Sequence, residues 1–441
     1  MIKNIYAFFL ILTLELIFNN FCLAQTGKWT LLFPKNSPPA RSGHVLAYLT
    51  DNKILLFGGT NKFNYLINDT WIYDLLENTW TEVNCSNKPS PRELFAMSQI
   101  DDGKVILFGG FCEYSLSNET WLFDINKMNW EKLNIAKLPR ERERTSYGYL
   151  GNNKMLIFSG YDWDGPERFI PETWIYDNKK KEWDSIKYDG GYPIDRELGM
   201  MANLNDHSIL LYGGHGGYIE GGDVNDTWIF DRIQGKWNIL YPQKENLNRG
   251  ASAMARLQDN YCIVFGGNTR DNVNSQPEDQ WSDDTWIYDG VNNTWIELVL
   301  DKIPPRRYFH SMSDITNGKA LLFGGIGSDV LNDTWLFEFE PNSVKEVENE
   351  NENDILLQQD FNGNHFLQIK NHFSENINIE LYNYLGCYID KIFDSKIESD
   401  NSIIQIPNTN NETGIFFIRI SSDKLNLTKK LNLTKKLIFI K

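Results

Sequence analysis

The side chains with most to offer chemically recur at a fixed spacing. An arginine stands 17 residues before the first member of a Gly-Gly or Ser-Gly pair in six places: Arg41, Arg92, Arg142, Arg196, Arg249 and Arg307. Guanidinium forks recognise carboxylates and phosphates through paired hydrogen bonds, so a ring of such groups would form an oxyanion receptor. Six acidic residues match them, each opening an Asp/Glu-Thr-Trp triplet: Asp69, Glu119, Glu172, Asp226, Asp284 and Asp333. The arginines are thus candidates for a ligand-binding face and, more simply, for structural ion pairs with these six acidic residues.

The remaining reactive residues are sparse. His44 and His310 each follow an arginine by three residues, and two histidines without a nearby third ligand suit packing better than metal binding. His215 sits in a glycine-rich stretch, Gly213 to Tyr218, that lacks the strand-to-helix context of a phosphate loop. Cys85, Cys112, Cys262 and Cys387 form no CxxC pattern, so neither a metal nor a cofactor is expected; Cys85 and Cys112 are the pair that neighbouring repeats could bring near each other. No catalytic constellation is recognisable. Glu93 and Glu197, each directly after an arginine, are the carboxylates best placed for acid-base work. Aromatic residues in loops of unequal length complete the candidate face: Tyr65, Tyr114, Trp163, Tyr218 and Trp281. Such rings suit sugar rings or peptide segments, and loops carry function where a rigid scaffold presents them.

The elements that must position these residues come from one motif written six times. Short apolar runs end in Gly-Gly or Ser-Gly at Leu55–Gly59, Ile106–Gly110, Leu156–Gly160, Leu210–Gly214, Ile263–Gly267 and Leu321–Gly325, with a period of 50–58 residues. A continuous apolar run of this length predicts a strand covered on both faces. Nine residues past the triplet tryptophan, a second tryptophan stands in five copies: Trp80, Trp130, Trp183, Trp237 and Trp295. Polar turns such as Asp101–Lys104 and Gly151–Lys154 join the first two strands of a copy as hairpins. Each copy then reads as four antiparallel strands, and a repeat of about 50 residues built this way is a propeller blade.

The apolar-Gly-Gly, acidic-x-Trp and second-Trp pattern resembles the kelch repeat, over about 315 residues. The resemblance implies an all-β fold: a six-bladed kelch β-propeller spanning 25–341. The sixth copy lacks its second tryptophan, since Val344 stands there. Lys28-Trp29-Thr30-Leu31-Leu32 has the composition of a fourth strand, so the N-terminal segment is expected to complete the last blade and close the ring. In such a blade the arginines, the loops from strand four to strand one, and the loops from strand two to strand three share one face. Some kelch propellers are sugar enzymes, including sialic acid mutarotases and copper-radical galactose oxidases. The seven blades and Cys-Tyr crosslink of the oxidases have no counterpart here.

The ends read as addresses. Residues 1–24 carry Lys3, a mostly apolar stretch to Phe18 and Ala24 before Gln25, as a secretory signal peptide does. Residues 342–354 are an acidic Asn/Glu-rich linker. Beyond it, strand-like runs at 366–369, 377–382, 403–406 and 415–420 predict a small β-sandwich-like domain over 355–441. Ile379–Gly386, Gly414–Ile420 and the basic-apolar end Lys435–Lys441 resemble the C-terminal sorting domain of the bacterial type IX secretion system. The resemblance implies that the secretion machinery is a partner. One departure is a tandem copy, Leu425–Lys430 repeated as Leu431–Lys436, which leaves the register of the last strand open.

Composition narrows the function. The chain has 441 residues, 43 Lys+Arg against 59 Asp+Glu and a net charge of −16, which disfavours a nucleic-acid partner. No stretch after the signal has the ~20 apolar residues of a membrane-spanning helix. The expected protein is therefore secreted or at the cell surface, and binds a glycan or protein ligand through its loop face. A mutarotase-type sugar enzyme and a structural platform in a surface assembly are the alternatives. Fourteen tryptophans are present; the repeat claims twelve and leaves Trp163 and Trp281.

Overall fold

The computed structural model describes residues 26–340 except 166–167, 188–189, 217–223, 245–247, 270–280 and 316–317. In the C-terminal region it describes the strands given below. Residues 1–24 and 342–354, the expected signal and linker, lie outside the described residues. The chain divides into two units: Gln25–Pro341, and a second that takes in Asn342–Lys441.

The first unit is built of six four-stranded antiparallel sheets. Blade 1 runs Val45–Thr50, Lys53–Phe57, Thr70–Asp74, Thr79–Glu82, with strands adjacent in chain order. Blades 2 to 5 repeat this order, and their first strands begin at Ala96, Ser146, Met200 and Ala253. First strands of successive blades pack side by side, blade 6 against blade 1 included, and so form the wall of a central tunnel. The hairpin turns fit this scheme: Asn152 and Asn153 both take positive φ, as a two-residue type I′ turn requires.

Blade 6 contributes only three strands from its own repeat, Ser311–Ile315, Lys319–Phe323 and Thr334–Glu340. Its outer strand is Thr26–Leu32, which runs antiparallel to the third with Trp29 opposite Phe337. The expected clasp is thus present, and the edge it covers is removed from solvent.

Tryptophans of the fourth strands fill the wedges between blades. Trp80 lies 5.0 Å from Tyr73 of its own blade and 5.2 Å from Phe323 of the preceding one. Trp29 repeats this with Phe337 at 5.0 Å and Phe265 at 5.2 Å. Trp130, Trp183, Trp237 and Trp295 follow the same rule. Each is buried, so these rings supply large apolar area at every blade junction.

In the second unit, Ile355–Gln359, His365–Ile369 and Ser402–Gln405 form one antiparallel sheet. Tyr388–Ile397, Phe373–Asn383, Gly414–Ser422 and Leu433–Phe439 form another, in that order. The last strand begins inside the second copy of the tandem hexapeptide, with Leu433 opposite Ile420. The register left open by the duplication is thereby resolved.

Because Trp29 occupies the one junction supplied from the far end of the chain, Trp29→Ala should destabilise the propeller by about 3–5 kcal/mol in chemical denaturation. Deleting 26–32 should in addition expose the edge of Thr334–Glu340 and produce oligomers on size exclusion. A monomeric deletion of wild-type stability would contradict the clasp.

Candidate functional site

The six arginines occupy equivalent positions, and all are fully buried. Arg41 donates from Nη1 to the Gly58 carbonyl at 3.1 Å, and from Nη1 and Nη2 to the two oxygens of Asp69 at 2.6 and 2.7 Å. Arg196 with Asp226, Arg249 with Asp284 and Arg307 with Asp333 make the same paired contacts. Arg92 and Arg142, whose partners are the longer Glu119 and Glu172, make single bonds of 2.7 and 2.6 Å. The 17-residue spacing is the distance along the chain from each guanidinium to the carbonyl it caps at the end of strand two. The placement of these arginines on the ligand face is therefore corrected: their charged ends are inside the scaffold. They pair within one blade, not between two, because strand two ends beside the start of strand three.

The rest of the triplet is used as fully. The carboxylate also accepts the indole N–H of its own tryptophan, as Trp71 to Asp69 at 2.8 Å. The threonine accepts the indole N–H of the next blade's second tryptophan: Trp130 to Thr70, Trp183 to Thr120, Trp237 to Thr173, Trp295 to Thr227, Trp29 to Thr285 and Trp80 to Thr334, all at 3.0–3.2 Å. A second junction bond runs from the Gly-Gly pair to the next arginine's carbonyl, Gly59 to Arg92 at 2.9 Å. A Cβ on Gly58 would stand 2.7 Å from that same carbonyl, which explains the glycine. Ser159 replaces the first glycine in blade 3, and its hydroxyl instead accepts the Arg196 backbone N–H at 2.7 Å. The threonine's role was not read from the sequence, although its presence in all six triplets was the available signal.

His44 and His310 are buried rings that pack edge-on against Phe323 and Phe265 of the preceding blade. Burial, reinforced by Arg41, pushes the His44 imidazole down to about 3, so it is neutral. Cys85, Cys112 and Cys262 are free thiols, and Cys387 lies outside the described residues. Cys85 and Cys112 therefore form no disulfide with each other.

The residues just after the arginines build the tunnel mouth. Positions two past each arginine, Gly43, Leu94, Arg144, Leu198, Ala251 and Phe309, all have positive φ between 53° and 63°. Backbone bonds link them around the tunnel: Gly43 N–H to Phe309, Leu94 to Gly43, Arg144 to Leu94, Leu198 to Arg144 and Phe309 to Ala251, at 2.8–3.0 Å. Five of the six are not glycine, so the mouth holds strained backbone of a kind that persists only when its surroundings fix it. Below this ring lies a cavity of about 260 Å³, lined by Arg144, Thr145, Leu94, Leu198, Phe309 and residues deeper in the first strands.

One residue nearer the arginine, the mouth is lopsided. Blades 2, 3 and 4 present Glu93, Glu143 and Glu197, whereas blades 5, 6 and 1 present Gly250, Tyr308 and Ser42. Arg144 reaches Glu197 at 2.9 Å and approaches Glu143 at 3.4 Å, while Thr60 donates to Glu93 at 2.5 Å. Burial pushes the Glu143 carboxyl up to about 7; Arg144 pulls it down, and Glu93 and Glu197 raise it further. Glu143 was not singled out from the sequence, though a glutamate directly follows the repeat's arginine in three of the six copies.

The strand-two-to-three loops rise from this mouth as short ribbons, pairing Thr60–Asn61 with Arg41–Ser42, Phe111–Cys112 with Arg92–Glu93, and Tyr161 with Glu143. Tyr65 and Tyr114 are 69% and 84% exposed, and Trp163 is 44% exposed with its ring 5.8 Å from Phe111. Trp281 is half-buried and meets Tyr308 in a tilted contact at 5.3 Å, which in turn meets Phe309 at 5.0 Å. Tyr218 lies outside the described residues.

Residues 17–214, 136–325 and 215–355 match the family model described as the KLHDC2/KLHL20/DRC7 Kelch-repeats domain. The chain belongs to the kelch-repeat family. Residues 344–434 match the Secretion system C-terminal sorting domain, so the kelch propeller carries a type IX sorting domain that directs export to the cell surface or beyond it. Curated relatives include an F-box/kelch-repeat protein of Arabidopsis thaliana, 28% identical over 191 residues, 39% of this chain and 37% of the relative. Kelch domain-containing protein 2 of Bos taurus is 32% identical over 87 residues, 20% and 21% of the two chains. The flagellar outer-arm dynein alpha chain of Chlamydomonas reinhardtii is 34% identical over 85 residues, 19% of this chain and 2% of the relative. The matches thus span little more than a third of these relatives at most. Among the described residues no helix is long and apolar enough to cross a membrane.

Two predictions follow from the buried pairs. Removing one partner of a buried ion pair strands the other, so Asp69→Asn should cost about 3–5 kcal/mol while Asp69→Glu costs less. Burial alone would raise the Glu119 carboxyl, but Lys132, Arg92 and Trp121 hold it at about 2, against 4.5 ordinarily. Asp69, Glu172 and Asp284 are lowered too, their arginines overriding the opposing effect of burial. Stability from these groups is fully present above the unfolded values and is lost as pH falls through the folded ones. The denaturation midpoint should therefore fall steeply between pH 4.5 and 2; a flat midpoint there would contradict the pairing.

Proposed function

We propose that this exported kelch propeller binds a partner protein at or outside the cell surface, through the face formed by the tunnel mouth and the strand-two-to-three loops. The observation that carries this reading is a division of labour. Every residue fixed by the repeat is consumed in the scaffold, whereas Tyr65, Tyr114 and Trp163 break the repeat and stay exposed on that face. Exposed aromatics on a rigid support are what interfaces use as anchors. The ribbons that pair the loops with the arginine segments lower the ordering cost of binding. A mutarotase-like use of the arginine ring finds little support, because those guanidinium groups already hold their own blades' carboxylates.

An array carrying both peptides and glycans, probed with the full chain, tests the reading. Peptide signals should fall at least about tenfold for a Tyr65→Ser, Tyr114→Ser, Trp163→Ala variant that melts like the wild type. Undiminished signals would place the interface elsewhere, and glycan signals alone would make the ligand a saccharide. For the address, a chain truncated before residue 355 should accumulate in the cell envelope; its normal release would contradict the sorting role.

A further inference from the structure

The two halves of the tunnel mouth differ in chemistry, and the difference points to a ligand class. On blades 2 to 4 stand three carboxylates: Glu143 and Glu197 both pair with Arg144, and Glu93, bonded to Thr60, lies within the field of the same cation. Glu143 is 6% exposed, yet no described residue donates a hydrogen bond to its carboxylate; the Nε of Arg144 at 3.4 Å is its nearest counter-charge. A carboxylate in a residue buried to this degree is costly when its one ion pair is long and its cation is committed elsewhere. Arg144 is itself committed to Glu197 at 2.9 Å and lies over the Tyr161 ring at 5.7 Å. On the opposite side Trp281, Tyr308 and Phe309 form a continuous run of tilted aromatic contacts.

We propose that the mouth receives a lysine or arginine side chain from a basic segment of the partner protein, its cationic group between Glu143, Glu93 and Glu197 and an apolar neighbour against Trp281 and Tyr308. This rests on the reading that the same face binds a protein. Three further observations bear on the class of ligand. The carboxylates stand on three successive blades, and among the described residues no three such groups are placed to hold a metal ion, which suits an extended organic cation. The cavity below the mouth, about 260 Å³, is lined by Arg144, Leu94 and Phe309 and not by the three carboxylates; it falls beneath the roughly 300–1,000 Å³ of pockets that bury a drug-sized ligand, so a group that passes the mouth is no larger than a side chain. Burial, with Glu93 and Glu197 facing it and Arg144 opposing, pushes the Glu143 carboxyl up to about 7, so a bound cation would draw off the proton it partly holds near pH 7.

The test is a phage-displayed peptide library selected on the full chain at pH 8, with enriched peptides resynthesised and measured by fluorescence polarisation. Enriched sequences should share a Lys or Arg at one position, and acetylating that lysine should weaken binding about tenfold or more. Glu143→Gln, which preserves shape and breaks no close hydrogen bond, should weaken binding similarly without changing the melting temperature; Glu197→Gln also breaks the pair with Arg144, so its similar loss of binding is read at a temperature where circular dichroism shows the variant folded. Wild-type affinity should also fall as pH drops from 8 to 6, and Glu143→Gln should flatten that dependence. Peptides without a basic residue, indifference to both glutamine substitutions, or no enrichment would overturn the proposal. Direct binding of glucosamine oligomers with no peptide enriched would overturn it in favour of an amino sugar. If Trp163→Ala weakens binding but the glutamine variants do not, the face survives and the cation pocket fails. If none of them does, both fail.

Discussion

A guanidinium with no access to water must find all its partners inside the fold, and six such groups set the geometry of this propeller. Each arginine ties the end of strand two to the start of strand three in its own blade, while its backbone carbonyl takes an N–H from the preceding blade. The side chain therefore fixes the blade and the main chain fixes the junction. The carboxylate opposite it then orients the triplet tryptophan, and the triplet threonine receives the next blade's outer tryptophan. All four parts of the repeat belong to one circuit that runs round the ring and closes through Trp29.

Closure also explains how strained backbone survives at the mouth. Leu94, Arg144, Leu198, Ala251 and Phe309 occupy a conformation that side chains disfavour. They are held there by the mutual hydrogen bonds around the tunnel and by the arginines two residues before them. The strain sits next to the lopsided acidic and aromatic mouth, where local rules are most often broken for function.

Much of this was legible in the sequence because repetition magnifies weak signals. Six runs ending in Gly-Gly or Ser-Gly, eleven tryptophans at fixed spacing and a fourth-strand sequence at the wrong end of the chain were enough for the blades and the clasp. The arginines were not decidable that way. A ring of six reads as a receptor or, more simply, as six locks, and only burial separates the two. The threonines were overlooked because their partners lie some 60 residues away in the next blade. Glu143 escaped because its significance comes from two other blades, through Glu93 and Glu197, and not from its own neighbours. The tandem hexapeptide near the end left two registers open, and only strand pairing chose the second copy.

The circuit makes a demand that can be measured on one kind of proton. In ¹⁵N-tryptophan-labelled protein, hydrogen exchange of the six indole N–H groups bonded to threonines, those of Trp29, Trp80, Trp130, Trp183, Trp237 and Trp295, should require opening of the whole ring. The account predicts that all six exchange with one common free energy, equal to that of global unfolding, while the 44% exposed Trp163 exchanges freely. Blades that lost protection one after another, or a Trp29 indole exchanging as fast as that of Trp163, would contradict it.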